Sequence, residues 1–208
     1  MKRKLETRIY PVDLETRAEG GEGIVTGRPI VYNSIADLGD FTEEIAFGAL
    51  DGTNLEDVRF CLNHDTSFVY ARSRRNNPNS TMQLFPDDQG MTFAAKLAIE
   101  QSAAHMDYFT MLSREDIDKM SFMFSVADDE WTNLDSDKPH RIIRKIAAVI
   151  EISGVTFPAY NQTSISTQSA EALENALSSL ENARQQRAAT LEKVEIEKLK
   201  LQIQILGG

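Results

Sequence analysis

Short stretches in which apolar and polar residues alternate recur through the first hundred residues. Thr7 to Tyr10 and then Val12 to Arg17 alternate in this way and end in the run Glu19-Gly20-Gly21-Glu22-Gly23, which predicts a first strand and a turn. From Ile24 to Ala71, β-branched and aromatic residues fall in short runs broken by Gly, Asp and Asn, the pattern of several short strands. In the clearest of these, Val58, Phe60, Leu62 and His64 share one face and Arg59, Cys61 and Asn63 take the other. Met91, Phe93, Ala95 and Leu97 alternate again, and the turn-rich Pro86-Asp87-Asp88-Gln89-Gly90 segment would close a hairpin with Thr81 to Phe85. Beyond Ile99 the period changes: Ala104, Tyr108, Met111 and Leu112 fall at helical spacing between Gln101 and Lys119, and Ser113 with Asp116 resembles a cap opening a further helical turn. Strand character returns at Ser121 to Val126 and at Arg141 to Phe157, with Asp128 to Pro139 a polar loop between them.

After Pro158 the composition turns to Asn, Gln, Thr and Ser, and from Ala170 to a Glu, Ala, Leu, Lys and Gln mixture of high helix propensity. A linker into a helical tail follows. Leu173, Leu177 and Leu180 keep heptad-like spacing and Leu191, Val194, Leu201 and Ile205 resume it, but Arg184, Arg187 and Lys198 fall on the seam, which breaks a coiled coil. The charge-mixed composition of this tail favours an exposed helix.

With 208 residues and 41% apolar content, the chain suits one domain with a substantial core plus an appendage. The formal charge of −10 opposes a surface that gathers phosphates, so nucleic acid is not expected as the main partner, although Arg72, Arg74 and Arg75 form a local basic group. Cys61 is the single cysteine, which excludes an internal disulfide and suits a reducing compartment. No apolar signal core or membrane-length span is present, and a soluble protein of the cytoplasm is expected.

Three segments place one reactive polar side chain in an apolar, strand-like setting: Phe60-Cys61-Leu62-Asn63-His64-Asp65, Lys119-Met120-Ser121-Phe122-Met123-Phe124 and Ala148-Val149-Ile150-Glu151-Ile152-Ser153. A serine hydroxyl needs an adjacent base to become a nucleophile, and an imidazole suits that task. An acid on the far ring nitrogen fixes the tautomer and stabilises the imidazolium. Alone, His64 reads equally as a half-buried structural histidine, and Ser121 as an ordinary strand residue without a Gly-x-Ser-x-Gly elbow. Glu151 is more telling, because a carboxylate in so apolar a strand must be paired. His64 with Asp65 suggests a metal pair, but neither His105 nor His140 supplies a ligand spacing, so no metal and no cofactor are expected.

Taken in order, these segments resemble the prohead proteases of tailed bacteriophages, a family related to the herpesvirus assemblins. The likeness runs from Arg17 to Ile165. Ile24-Val25-Thr26-Gly27-Arg28-Pro29-Ile30-Val31-Tyr32-Asn33 is similar to the family's Gly-Tyr-Ala-x-Val-Phe-Asn strand, and Ile45-Ala46-Phe47-Gly48-Ala49-Leu50 to its Gly-Ala-Phe segment. His64-Asp65 matches its Asn-His-Asp, and Asp88-Gln89-Gly90-Met91 its acidic-Gly-Leu turn. The serine block resembles Ser-x-Gly-Phe, with Ser121 in the nucleophile position and Met123 in place of the glycine. Glu151-Ile152-Ser153-Gly154-Val155-Thr156-Phe157-Pro158-Ala159-Tyr160-Asn161 resembles the Glu-Val-Ser-x-Val-x-x-Pro-Ala-Asn ending.

The resemblance implies an α+β protein: a β-barrel of short, largely antiparallel strands flanked by helices, with residues 1–165 the protease domain and 166–208 a linker and helical tail. It implies a serine endopeptidase of procapsid maturation, with Ser121 as nucleophile, His64 as base and Glu151 as orienting acid, ahead of Asp65 and His140. Arg144 is a possible helper. The implied partner is the major capsid protein with its scaffolding segment, cleaved inside the immature procapsid in the host cytoplasm, together with self-cleavage and self-association. Two other readings stand beside it. One is a non-catalytic scaffolding or capsid-assembly protein that keeps the protease fold, which the Met123 departure favours, and the other is a metal-dependent hydrolase centred on His64 and Asp65.

Overall fold

The structure is a computed structural model that describes residues 5–11, 14–156 and 167–206. The alternating stretches form the strands β1 (Glu6–Pro11), β2 (Glu15–Glu19), β3 (Glu22–Val31), β4 (Ala36–Asp37), β5 (Thr42–Ile45), β6 (Asp57–Leu62), β7 (Ala71–Arg74), β8 (Met82–Asp87) and β9 (Gly90–Leu97). The helix α1 (Ala103–Ser113), the long strands β10 (Lys119–Thr132) and β11 (His140–Val155), and the helix α2 (Thr167–Leu206) complete the described chain. Its class is α+β, dominated by sheet.

The strands form two sheets. In the larger, the order runs β1-β10-β11-β5-β4, and β6 with its partner β7 also pairs β11; in the smaller it is β2-β3-β9-β8. β11 is long enough to take β5 alongside His140–Ile143 and β6 alongside Glu151–Gly154, both parallel to it, on the edge away from β10. Within these ladders β1, β4, β7, β2 and β8 each have one strand neighbour, so among the described residues the expected closed barrel is replaced by two open sheets. The sheets share one core, in which Val58, Phe60, Phe122, Phe124 and Ile152 of the larger meet Val25, Leu84, Met91 and Phe93 of the smaller. Each such side chain contributes about 1.5–3 kcal/mol on burial.

Three local expectations change. The alternating start is two strands in different sheets, β1 against β10 and β2 against β3; Val12 lies outside the described residues. The polar stretch Asp128 to Pro139 is loop only from Asn133: β10 runs on through Thr132, because Trp131 is buried and Asp129 and Glu130 pair across the ladder with Arg141 and Arg144. Ser113 and Asp116 open no second helix, since Arg114 caps the end of α1 and Glu115 takes a left-handed conformation (φ 62°). The hairpin β8–β9 forms about Asp88-Gln89 as expected. There Gly90 (φ 140°) passes so close to the Ile30 carbonyl oxygen that a Cβ would sit 2.0 Å from it.

α2 spans 40 residues, about 60 Å at 1.5 Å per residue. Ala176 and Leu180 are buried on Leu38, Phe41 and Trp131, with Leu173, Leu177 and Ala183 beside them, so the stretch 173–183 packs on the body. Leu191, Val194, Leu199, Leu201 and Ile205 further along are exposed. Phe157, Pro158 and the polar stretch read as a linker lie outside the described residues.

Candidate active site

β6 ends at Leu62, and Asn63 and His64 both adopt the left-handed region (φ 51° and 62°). The strand pattern continued to His64 stops two residues early for that reason. Asparagine tolerates this conformation better than most side chains, and histidine shares some of that tolerance. Hydrogen bonds hold the turn: Asn63 N donates to Gly154 O (2.9 Å), and Asn63 Oδ1 accepts from Thr156 N (3.0 Å). The reversal brings the imidazole over β11.

There His64 Nδ1 lies 2.5 Å from Glu151 Oε1, with Glu151 fully buried and the imidazole 14% exposed. With the carboxylate accepting, Nδ1 carries the ring proton and Nε2 is left as the basic nitrogen. Ser153 Oγ donates to Glu151 Oε2 and accepts from His64 N (3.2 Å), so one hydroxyl steadies both members of the pair. Sequence reasoning gives Ser153 no role of its own; its position two residues after a buried glutamate on the same strand face is the signal.

The ladders bring Ser121 beside this group. Ser121 faces Ser153 across β10 and β11, and Ser153 faces Cys61 on β6, so the three lie in one row across neighbouring strands spaced about 4.8 Å apart. Met123 faces Glu151 two rows along. Ser121 is fully buried, and its Oγ donates to the Arg8 carbonyl of β1 (2.9 Å). Among the described residues no hydrogen bond joins Ser121 to His64.

The other candidates sit elsewhere. Asp65 accepts from Ser67 N and Ser67 Oγ, contacts that hold its carboxyl below the usual range, and it forms a local turn rather than a pair with the imidazole. His140 opens β11, far from Glu151, with Nδ1 against Thr42 Oγ1 (2.8 Å). Arg144 pairs with Glu130 on the surface. Arg72 of the basic group is clamped by Asp57, and Arg75 lies near Glu56. Burial, reinforced by the charge of Glu151, pushes the Cys61 thiol up to about 12, which removes it as a nucleophile at neutral pH.

Beneath the row, Tyr108 Oη donates to Cys61 O (2.9 Å) and accepts from Gly154 N (3.0 Å), tying β6 to β11 where the site is built. A Cβ on residue 154 would lie 2.6 Å from that oxygen, so glycine is needed for the close approach.

The model of the caudovirus prohead serine protease family matches residues 11–178. The chain belongs to this family. A prohead protease from Enterobacteria phage HK97 is 28% identical over 153 residues, covering 74% of this chain and 63% of that relative. The chain thus matches less than two thirds of the length of this curated prohead protease. No solved structure matches the chain. Among the described residues no helix is long and apolar enough to cross a membrane.

Proposed function

We propose that this member of the prohead proteases is a serine endopeptidase of procapsid maturation, with Ser121 as nucleophile, His64 as base and Glu151 as orienting acid. The observation that carries the reading is the buried Glu151 carboxylate on His64 Nδ1, braced by Ser153, one strand away from Ser121. A carboxylate in this position selects the tautomer that leaves Nε2 free to take a proton. Ser121 Oγ attacks a peptide carbonyl carbon while His64 Nε2 takes its proton. The C–N bond then breaks, the amine leaves with that proton, and water hydrolyses the acyl-enzyme by the same path. The Ser121–Arg8 hydrogen bond must be released before the attack.

The substrates in this reading are the scaffolding part of the major capsid protein and the protease itself, inside the immature procapsid in the host cytoplasm. Residues 1–165 form the protease domain and 166–208 a linker and assembly handle. Co-expression with the capsid subunit tests it: the wild type yields cleaved products and Ser121→Ala does not. Identical uncleaved products from both would favour the non-catalytic assembly protein, the reading to which the buried, β1-bonded Ser121 hydroxyl lends weight. Cleavage blocked by a chelator and unaffected by a serine-reactive reagent would instead favour the metal-dependent reading.

A further inference from the structure

β1 is a six-residue strand lying antiparallel along the edge of β10 from Phe124 to Lys119, with Ile9 opposite Ser121. An extended peptide presented to Ser121 along β10 requires the same backbone groups of that edge. Strand addition to a sheet edge is a general mode of peptide recognition: main-chain bonds give affinity, and alternate side chains give specificity. With β1 in place the Ser121 hydroxyl is bonded to its main chain and is inaccessible.

The side chains of β1 are read by a buried ionic group. Arg8 Nη2 meets Glu43 Oε2 (2.7 Å) and Glu6 Oε2 (2.6 Å), Arg8 Nε also bonds Glu43, and Arg141 Nη1 reaches both Glu6 (2.7 Å) and Glu43 (2.9 Å). Arg141 Nε further holds Asp129 (2.7 Å). Glu43 is fully buried and Arg141 nearly so. Both lie outside β1, and so they stay in place when β1 leaves. The departure of β1 takes Arg8 from Glu43 and Glu6 from Arg141, so the vacated edge favours an entering strand that restores a cation opposite Glu43 and, two residues before it, an acid opposite Arg141.

We propose that the β10 edge beside Ser121 is the docking site for an extended peptide with an acid-x-base pattern, and that β1 is its internal occupant, which must yield before substrate enters. This rests on Ser121 being the nucleophile. Asn175 of α2 donates to Leu5 O (3.4 Å), so the docked part of that helix helps to hold the occupant down.

The test uses the full chain and a fluorophosphonate probe, with labelling of Ser121 followed by mass spectrometry. Arg8→Ala, which loosens β1, should label about tenfold faster than wild type, within the range of ordinary coupling between sites. Because that variant risks misfolding, a second joins β1 to β10 through cysteines at the facing positions 7 and 123. This Thr7→Cys, Met123→Cys chain should label slowly when oxidised and faster after reduction. A synthetic peptide of residues 5–11 should slow labelling of Arg8→Ala, whereas the peptide with Glu6→Lys and Arg8→Glu should not. Equal labelling of wild type, Arg8→Ala and both redox forms would overturn β1 as occupant and leave Ser121 as nucleophile. Equal behaviour of the two peptides would overturn the acid-x-base recognition. No labelling of Ser121 in any form would remove the nucleophile and the docking site together.

Discussion

Two fully buried glutamates in the larger sheet are solved in opposite ways. Glu43 meets two guanidiniums, Arg8 and Arg141, which remain charged at any physiological pH. Glu151 meets one imidazole and one hydroxyl, and the imidazole is the one common side chain whose charge changes near neutrality. The first arrangement is a fixed charge lock between strands. In the proposed reading the partner in the second is the base of acyl transfer, which must accept and return a proton without leaving its acid. The same acid is a fixed charge in one setting and, in the proposed reading, an orienting group in the other, and the difference lies in its partners rather than in its burial.

The sharpest break of the comparison removes the charge of Glu151 while keeping its shape. Glu151→Gln is expected to lower capsid-protein cleavage by about 10³–10⁴-fold, as for loss of an orienting carboxylate elsewhere, with Asp65→Asn and His140→Ala near wild type. Loss of cleavage in Asp65→Asn with Glu151→Gln unaffected would reverse the assignment. At the lock, Arg141→Ala strands Glu43 and Glu6 beside Arg8 alone and should cost about 3–5 kcal/mol of stability in denaturant unfolding. Ser153→Ala removes one bond from each half of the His64–Glu151 pair. It should cost about 1–3 kcal/mol in the free energy of activation, read as a fall in kcat with a shifted pH profile, where a merely structural serine would leave that profile unchanged.

Acid is a milder probe of the lock. Burial raises the Glu6 carboxyl, but Arg8 and Arg141 outweigh burial and hold it below its ordinary 4.5. A carboxyl depressed in the folded state stabilises above its unfolded value and loses that contribution as pH falls through the folded one. The protection factor of the β1 amides, their exchange rate taken relative to the intrinsic rate at the same pH, is therefore expected to fall below about pH 4.5 before the core opens; Glu43 and Asp129 also face Arg141. Protection that stays constant until global unfolding would show that Glu6 does not hold the strand.

Much of this was legible in the chain. The alternation of Met91 to Leu97, the Asp88-Gln89 turn and the apolar setting of Glu151 all depend on residues close in sequence, and a buried acid announces a partner wherever it stands. The departure of Asn63 and His64 from the strand was hidden, because it is decided by Gly154 and Thr156 on a distant strand. The lock was hidden for the same reason: Glu6, Arg8, Glu43 and Arg141 look like ordinary surface charges until three strands converge. Trp131 likewise sits in a stretch polar enough to read as a loop, and only residues 173–183 of α2 reveal what it packs against.

His64 and Glu151 are 87 residues apart, and the strand that carries Glu151 pairs parallel to β6, the strand that ends just before His64. A parallel pairing cannot close through a tight turn and must wait for a crossover. During synthesis the imidazole therefore emerges well before its carboxylate has been made, and the pair cannot exist until β11 has slotted between β10 and β6. Assembly of the pair belongs to the slow, long-range part of folding, and, if the pair is the proposed base and acid, a nascent or half-folded chain is chemically silent by its topology alone.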